Sequence, residues 1–366
     1  MAEDVTSPGE SRPSGLRGLL GRTGGLPARI GQLIAPVATG RRGVTAGRLE
    51  SRARGAAHDP GYRVVAGVRA DRSSVAISFG SGSLRVLQHV GRRVIGWASV
   101  PLPEGVVRGG AVVDAPALGS VLEETFDRLR LPRRHIVGAI SGLRANASLL
   151  ELPWVKDGEL AEVVADEATR TLGAAPDDSY LFWQRIPGRR RERFVYALAV
   201  PREPLLIALE AFEAAGLRAD VLDLKPLALA RAVNQQDAIV ANLESDSLDV
   251  VIVVDDLPVL FRSLALPAGL THREPAHELL VAEVSRTLAS YEDAAPGHLL
   301  DGSAAIYLSG SDVGSITLAE RLRAQTGHPI GRPTPPMHYP SDFPLAEQLV
   351  NVGLALKGLL RRERTG

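Results

Sequence analysis

The stretch Ala238–Leu270, AIVANLESDSLDVVIVVDDLPVLFRSLALPAGL, decides the fold of this chain. It contains three apolar runs, at Ala238–Leu243, Leu248–Val254 and Val259–Leu266. The short segments ESDS and DDLP, which are small, acidic or turn-forming, separate them. Three β-rich runs joined by breaks of hairpin length predict an antiparallel meander.

A second, less regular meander is predicted near the beginning of the folded part. Its apolar runs are Val64–Arg69, Val75–Phe79 and Leu84–Val90, with turns at 70–74 and 80–83. A meander that recurs about 170 residues later indicates a duplicated α/β fold of the actin and ribonuclease-H kind. In that fold the two meanders face each other, and their first turns hold the phosphates of a nucleotide.

The two predicted phosphate turns resemble the actin-like pattern but lack its chemistry. The fold uses a carboxylate in each turn for the metal and its water, and a glycine that lets backbone N–H groups approach phosphate oxygens. Where the family pattern reads GIDIGSSSVK, this chain has GVRADRSSVA, so Arg69 stands at the aspartate and Asp71 at the glycine. In the second turn Asn242 stands at the aspartate and Glu244 at the glycine.

A third nucleotide element is reduced as well. In the fold a strand runs into three glycines beside the adenosine, whereas here the strand is followed by Ser311 and Asp312 after a single glycine. Each alteration opposes nucleotide binding, although Arg69 could neutralise a phosphate directly, which leaves binding without hydrolysis open. The degraded nucleotide-site positions are predicted to be Arg69, Asp71, Ser73, Ser74, Asn242, Glu244, Ser245, Gly310, Ser311 and Asp312.

The composition predicts a soluble, intracellular protein with two or more domains. A chain of 366 residues with 45% hydrophobic content can bury a large core. It has no cysteine, which excludes disulfides and thiolate metal ligands. Its 42 basic and 42 acidic residues give no overall charge that favours nucleic acid. No apolar stretch reaches the ~20 residues of a transmembrane helix.

Residues 1–60 are predicted to be a disordered tail, because they are rich in Gly, Arg, Ser and Pro. They carry nine arginines and five acidic residues. The stretch Leu16–Ile34 interleaves apolar residues with arginines and could lie on an anionic membrane as a short amphipathic helix. Gly24, Gly25 and Pro27 interrupt that pattern, which favours the tail.

The rest of the chain is predicted to form two actin-like halves, at 61–235 and 236–366. A small α/β subdomain is predicted as an insert in the first half, at about 101–190. The pattern of apolar residues predicts helices at Ala115–Leu129, Asp157–Leu172, Pro204–Ala215, Pro226–Val233, His277–Glu292, Ile316–Thr326 and Leu345–Leu360.

Short motifs, in the same order along the chain, resemble those of the type IV pilus assembly protein family PilM. The matches extend from about residue 60 to about residue 360. They are Leu102–Val107 with Gly110 (family pattern lP-x-gvi-x-dG), Leu152-Pro153-Trp154 with Glu159, Leu160 and Glu167 (lP-x-m…EL…E), Ala215-Gly216-Leu217 with Val221–Leu224 and Ala228–Ala232 (aGL…vidv…AllRa), Phe261–Leu264 (ftRsi) and Gly353–Gly358 (GLALRg).

The resemblance implies an actin-like fold with an inserted subdomain, and a cytoplasmic scaffold of a pilus or secretion machine at the inner face of the cell membrane. Family members bind the cytoplasmic N-terminus of PilN, a single-pass inner-membrane protein, and many also bind ATP. For this chain it implies a PilN-like partner and peripheral membrane contact through that partner, with self-association left open. No nucleic acid and no cofactor are expected, and Mg·ATP is the open alternative.

PilM relatives hold their partner's peptide near the cleft between the first subdomain and the insert. Edge strands are predicted in this insert at Leu149–Leu152 and Tyr180–Trp183, and peptide capture uses such edges. The partner-binding candidates are Leu152, Trp154 and Phe182, although a core position suits Trp154 slightly better than a pocket wall.

Three classes of function remain: a non-catalytic scaffold, an active actin-like ATPase, and a sugar-kinase-like enzyme. The last needs carboxylates at positions 69 or 242, where the chain has Arg and Asn. The eight histidines show no metal-ligand spacing. No Walker A sequence, Rossmann fingerprint or nucleophile elbow is present.

Overall fold

A computed structural model describes residues 62–64, 73–80, 82–153, 155–156, 158–173, 177–186, 193–267, 273–294, 300–311 and 313–365. The predicted tail, Arg69, Asp71, Trp154, Asp157 and Asp312 lie outside these residues.

The described residues form sixteen strands and seven helices. The strands are β1 (Tyr62–Val64), β2 (Ser74–Phe79), β3 (Ser83–Val90), β4 (Arg93–Pro101), β5 (Val107–Arg108), β6 (Ala111–Val112), β7 (Ile136–Ile140), β8 (Asn146–Leu152), β9 (Ser179–Ile186), β10 (Arg193–Pro201), β11 (Ala219–Leu224), β12 (Ala238–Leu243), β13 (Ser247–Val254), β14 (Leu257–Ala265), β15 (Ala305–Gly310) and β16 (Ile330–Gly331). The helices are α1 (Ala115–Leu129), α2 (Leu160–Leu172), α3 (Arg202–Ala214), α4 (Lys225–Val233), α5 (Arg273–Ala294), α6 (Ile316–Thr326) and α7 (Leu345–Thr365).

Two mixed sheets repeat one topology. The first sheet has the order β1-β4-β3-β2-β7-β11 and the second has the order β14-β13-β12-β15-β16. In each sheet an antiparallel three-stranded meander is followed by a parallel neighbour, β7 beside β2 and β15 beside β12. The duplicated α/β fold expected from the sequence is therefore confirmed.

The sequence prediction starts the first meander one strand too early. Val64, the described part of the strand predicted at Val64–Arg69, belongs to β1, which pairs with β4 at the edge of the sheet. The meander consists of β2, β3 and β4, and the prediction missed β4. Gly91, with φ of 53°, makes the tight turn from β3 into β4.

A third, smaller sheet has the order β8-β10-β9 and packs against α2. It begins at Asn146, later than the predicted start of the insert at about 101, because β7 belongs to the first sheet and α1 packs on α3. One face of β10 contributes Val195 and Ala197 to a core shared with α2. The opposite face contributes Tyr196 and Leu198 to the main core.

Helix ends follow their local sequence. The Asp114 carboxylate accepts a hydrogen bond of 2.9 Å from the Ala117 N–H and so caps α1, whose predicted bounds are confirmed. Ser315 caps α6, and Gly327, with φ of 76°, ends it.

Helix α7 joins the two repeats, because it packs against β2 and β3 of the first sheet, β15 of the second sheet, and α4. In the described residues no helix is long and apolar enough to span a membrane.

Candidate functional site

The hairpins β2–β3 and β12–β13 are equivalent parts of the two repeats. In the first, Phe79 pairs with Leu84, and the Gly80 N–H donates to the Ser83 carbonyl oxygen at 3.0 Å. In the second, Leu243 pairs with Leu248, and the Glu244 N–H donates to the Ser247 carbonyl oxygen at 2.9 Å. Gly80 therefore corresponds to Glu244, and by the same register Arg85 corresponds to Asp249.

The two hairpins meet through a buried ion pair between Arg85 and Glu244. The Arg85 Nη1 donates to Oε1 at 2.5 Å, and Nη2 donates to Oε2 at 2.7 Å. The two side chains are only 8% and 6% exposed. The carboxylate lies beside the Gly80 backbone: a Cβ built there would be in ordinary van der Waals contact with Oε2, at 3.7 Å.

Arg85 stays charged in this environment. Burial lowers the pKa of its guanidinium, but the attraction and hydrogen bonds of Glu244 outweigh burial, so the pKa is raised; Glu347 contributes in the same direction. Removing one partner of a buried pair of this kind leaves an uncompensated charge, at a cost of about 3–5 kcal/mol.

Further contacts seat the turn of the second hairpin against the first repeat. The Asp246 carboxylate accepts a hydrogen bond from the Gly109 N–H in the β5–β6 turn. A Cβ on Gly110 would lie 3.3 Å from the Ser247 Oγ, and one on Gly82 would lie 3.6 Å from the Ser245 Oγ. The turn 244–247 thus lies between the segments 80–82 and 109–110.

Asn242 is fully buried and binds a neighbour in its own sheet. Its Nδ2 donates to the Asp249 Oδ2 at 3.1 Å, and the Ser263 hydroxyl donates to Oδ1 at 2.5 Å. Burial raises the pKa of the Asp249 carboxyl, and the nearby Lys225 ammonium opposes this rise. The side-chain amide of Asn242 is therefore engaged within its own sheet, by Asp249.

Gly310 is needed for strand packing. Its φ is 101°, and a Cβ would lie 2.0 Å from the Leu243 carbonyl oxygen. The next residue, Ser311, donates its N–H to that same oxygen at 2.9 Å. Because it has no side chain, Gly310 lets β15 end against the backbone of Leu243, beside the second hairpin. This packing is reason enough for a glycine at position 310.

This arrangement does not fit the phosphates of Mg·ATP. The N–H groups of Gly80 and Glu244 donate within their own turns, and the Glu244 carboxylate occupies the space between the hairpins. An anionic side chain there repels a phosphate. The described residues hold no group of three His, Cys, Asp or Glu side chains placed to bind a metal ion.

Of the first-turn residues predicted from the sequence, the structure describes Ser73 and Ser74, which lie at the other end of β2. Ser74 begins β2 and Ser73 precedes it, so both are separated from Gly80 by the length of a six-residue strand, roughly 20 Å. The Ser73 hydroxyl accepts a hydrogen bond of 2.8 Å from Gln88.

The residues that do face the second hairpin are Gly80, Gly82 and Arg85. The signal that could have identified them is the match between F-G-S-G-S-L at 79–84 and L-E-S-D-S-L at 243–248.

The third sheet provides a second candidate surface, at the edge strand β9. The other edge strand, β8, lies beside β14, whereas β9 has β10 as its one neighbour in the described sheet. Phe182 is half-buried on the face toward the main core, and the Arg202 guanidinium lies 4.5 Å from the centre of the Tyr180 ring. Leu152, a predicted contact residue, is only 3% exposed and packs against α2, so it is a core residue.

Together, the duplicated meanders, the facing hairpins and the helices that close each repeat define an actin-like fold. The structure is similar to that of the PilM-PilN type IV pilus biogenesis complex, with a TM-score of 0.62 and 22% identity over 78% of this chain and 98% of that chain. The resemblance to PilM noted in the sequence is thus confirmed at the level of the fold.

Two further solved structures match with lower scores. The ethanolamine utilization protein EutJ from Carboxydothermus hydrogenoformans has a TM-score of 0.45 and 13% identity over 80% of this chain and 92% of its own. The cytoplasmic domain of EpsL, an inner membrane component of the Vibrio cholerae type II secretion system, has a TM-score of 0.41 and 13% identity over 77% of this chain and 94% of its own. No family model and no curated protein matches the sequence.

Proposed function

We propose that this protein is a non-catalytic scaffold of the PilM kind, which works at the inner face of the cell membrane in a pilus or related secretion machine. The observation that carries the proposal is the buried Arg85–Glu244 pair, which fills the place where an actin-like protein holds phosphate. An actin-like body closed in this way retains surfaces for partners and loses the site for hydrolysis.

The nucleotide part of the proposal has a direct test. Titration of Mg·ATP into the full chain by calorimetry is expected to give no binding heat, and no phosphate release above background is expected. Micromolar affinity would favour the alternative, an active actin-like ATPase. Loss of a measured turnover on changing Asn242→Ala would establish that alternative.

The proposed partner is the cytoplasmic N-terminal segment of a PilN-like single-pass membrane protein. Support comes from the fold shared with a PilM-PilN complex and from the position of β9 at the edge of the described sheet. An edge strand captures an extended peptide through main-chain hydrogen bonds, and side-chain pockets give specificity. Phe182 lies on the core-facing side of β9, and Leu181 lies on the side toward α2.

The test of partner binding compares the two faces of β9. Peptides from the N-termini of single-pass membrane proteins encoded beside this chain are titrated against the full chain and two variants. Phe182→Ala is expected to weaken binding about tenfold, the ~1.4 kcal/mol of a truncated interface aromatic, and Leu181→Ala is expected to weaken it much less. If no peptide binds, or if both variants bind equally well, the β9 site is wrong.

A further inference from the structure

Glu244 binds Arg85 in the geometry that proteins use for a bound oxyanion. Each carboxylate oxygen accepts a hydrogen bond from a different guanidinium nitrogen, and the two residues are 159 positions apart in the chain. Arginine binds phosphate through the same two-pronged arrangement.

The two repeats are asymmetric at this point. Gly80, the counterpart of Glu244, has no side chain, and a Cβ built on Gly82 would lie 3.6 Å from the Ser245 Oγ. The acid of the second hairpin reaches across to Arg85 of the first, and the first hairpin has no acid at the equivalent position.

We infer that Glu244 is an internal anionic ligand: its carboxylate occupies an oxyanion site formed by Arg85 and the glycine turn of the first hairpin, and thereby holds the two repeats together without nucleotide. This inference rests on the proposed absence of nucleotide binding. It adds that the oxyanion site itself survives and that the chain fills it.

The consequence is a latent phosphate site. Removing the Glu244 carboxylate leaves a buried guanidinium facing a vacated space beside Gly80. A buried cation without a partner is costly, so a small oxyanion from solution gains a strong site there.

The test is thermal unfolding of the full chain in inorganic phosphate, against sodium chloride of the same ionic strength. Glu244→Ala is expected to melt several degrees below wild type in chloride and to recover part of that loss in millimolar phosphate. For wild type and for the double variant Arg85→Met/Glu244→Ala, the melting temperature in phosphate is expected to equal that in chloride. Glu203→Ala, which removes the acid of an exposed pair with Arg144, is the matched control and should show no phosphate response.

A Glu244→Ala variant that is as stable as wild type, or that ignores phosphate, overturns the inference. So does a phosphate response of equal size in wild type or in the double variant. A variant that fails to fold is replaced by Glu244→Gln, which keeps the size of the side chain. Hydrogen exchange should then rise at residues 80–85, 109–110 and 244–247 and stay unchanged in β10, and any other distribution overturns the inference.

These outcomes can be distinguished from the outcomes that test the proposed function. Binding of Mg·ATP by wild type refutes the nucleotide-free scaffold. A Glu244→Ala variant that is silent toward phosphate refutes only the internal ligand.

Discussion

Among single residues, a second buried charge cluster lies where α4, α7 and the end of β11 meet. The Arg231 Nη1 donates to the Asp223 Oδ2 and to the Gly353 carbonyl oxygen, each at 2.9 Å. The Lys357 Nζ lies 3.1 Å from the Asp223 Oδ1. Burial lowers the pKa of Lys357 to about 8, against the opposing attraction of Asp223.

This pKa predicts how stability depends on pH. Between about pH 8 and the unfolded value of 10.5, the unfolded chain holds a proton that native Lys357 has lost, so the free energy of unfolding rises with pH across this window. Below about pH 8 this group contributes no slope. Lys357→Met should abolish the rise, which urea unfolding at pH 7.5 and 9.5 measures as on the order of 1–3 kcal/mol in wild type. An equal rise in the variant would assign it to other groups.

Gly310 gives a second residue-scale prediction. Gly310→Ala should lower the free energy of unfolding by about 2–4 kcal/mol, because φ of 101° strains any side chain and the new Cβ would meet the Leu243 backbone. Gly314→Ala is the control, since a Cβ there meets nothing within 4 Å. Equal effects in urea unfolding of the two variants would contradict the packing role of Gly310.

Among the elements, the crossing of α4 and α7 depends on one glycine. A Cβ on Gly353 would lie 1.9 Å from the Ala228 carbonyl oxygen, so the two helix backbones touch. Helix propensity alone predicts that Gly353→Ala stabilises the protein by about 1 kcal/mol. We expect the opposite sign, a loss of about 1–3 kcal/mol from overpacking, in urea unfolding. A stabilised variant would show that the crossing relaxes freely.

The elements also show what sequence patterns can reveal here. Strand β12, helix α1 and helix α6 have the bounds that the sequence predicts, because β12 is one continuous buried run and each helix buries one regular face. The assignment of the first phosphate turn stays a prediction, since an apolar run identifies a strand but not its neighbours. The stretch 67–76 matched a family pattern, whereas the pairing of β2 with β7 points to the turn at Gly80, which follows β2.

The Arg85–Glu244 pair lay beyond prediction for a related reason. Arg85 and Glu244 are 159 positions apart, and no local sequence pattern links them. Only the fold brings them together. The sequence did indicate that Glu244 replaces a glycine, and the structure adds which cation it meets.

At the scale of the whole molecule, buried ion pairs join the two repeats at two of their contacts. One is the pair between the hairpins, and the other is the helix crossing with its Asp223 cluster. Both contacts are made by the chain's own buried side chains. Such contacts hold the two repeats against each other, as the proposed scaffold role requires.

The tail supplies the last prediction. Deleting residues 1–55 should leave the melting temperature nearly unchanged, because the apolar clusters of the described residues begin at Val75 and the deletion keeps β1. Segments rich in Gly, Arg and Ser bury little apolar surface, so their loss removes little stabilisation. Thermal melts of the full and shortened chains at equal concentration make the comparison. A drop of several degrees would instead show that Leu16–Ile34 docks on the folded body.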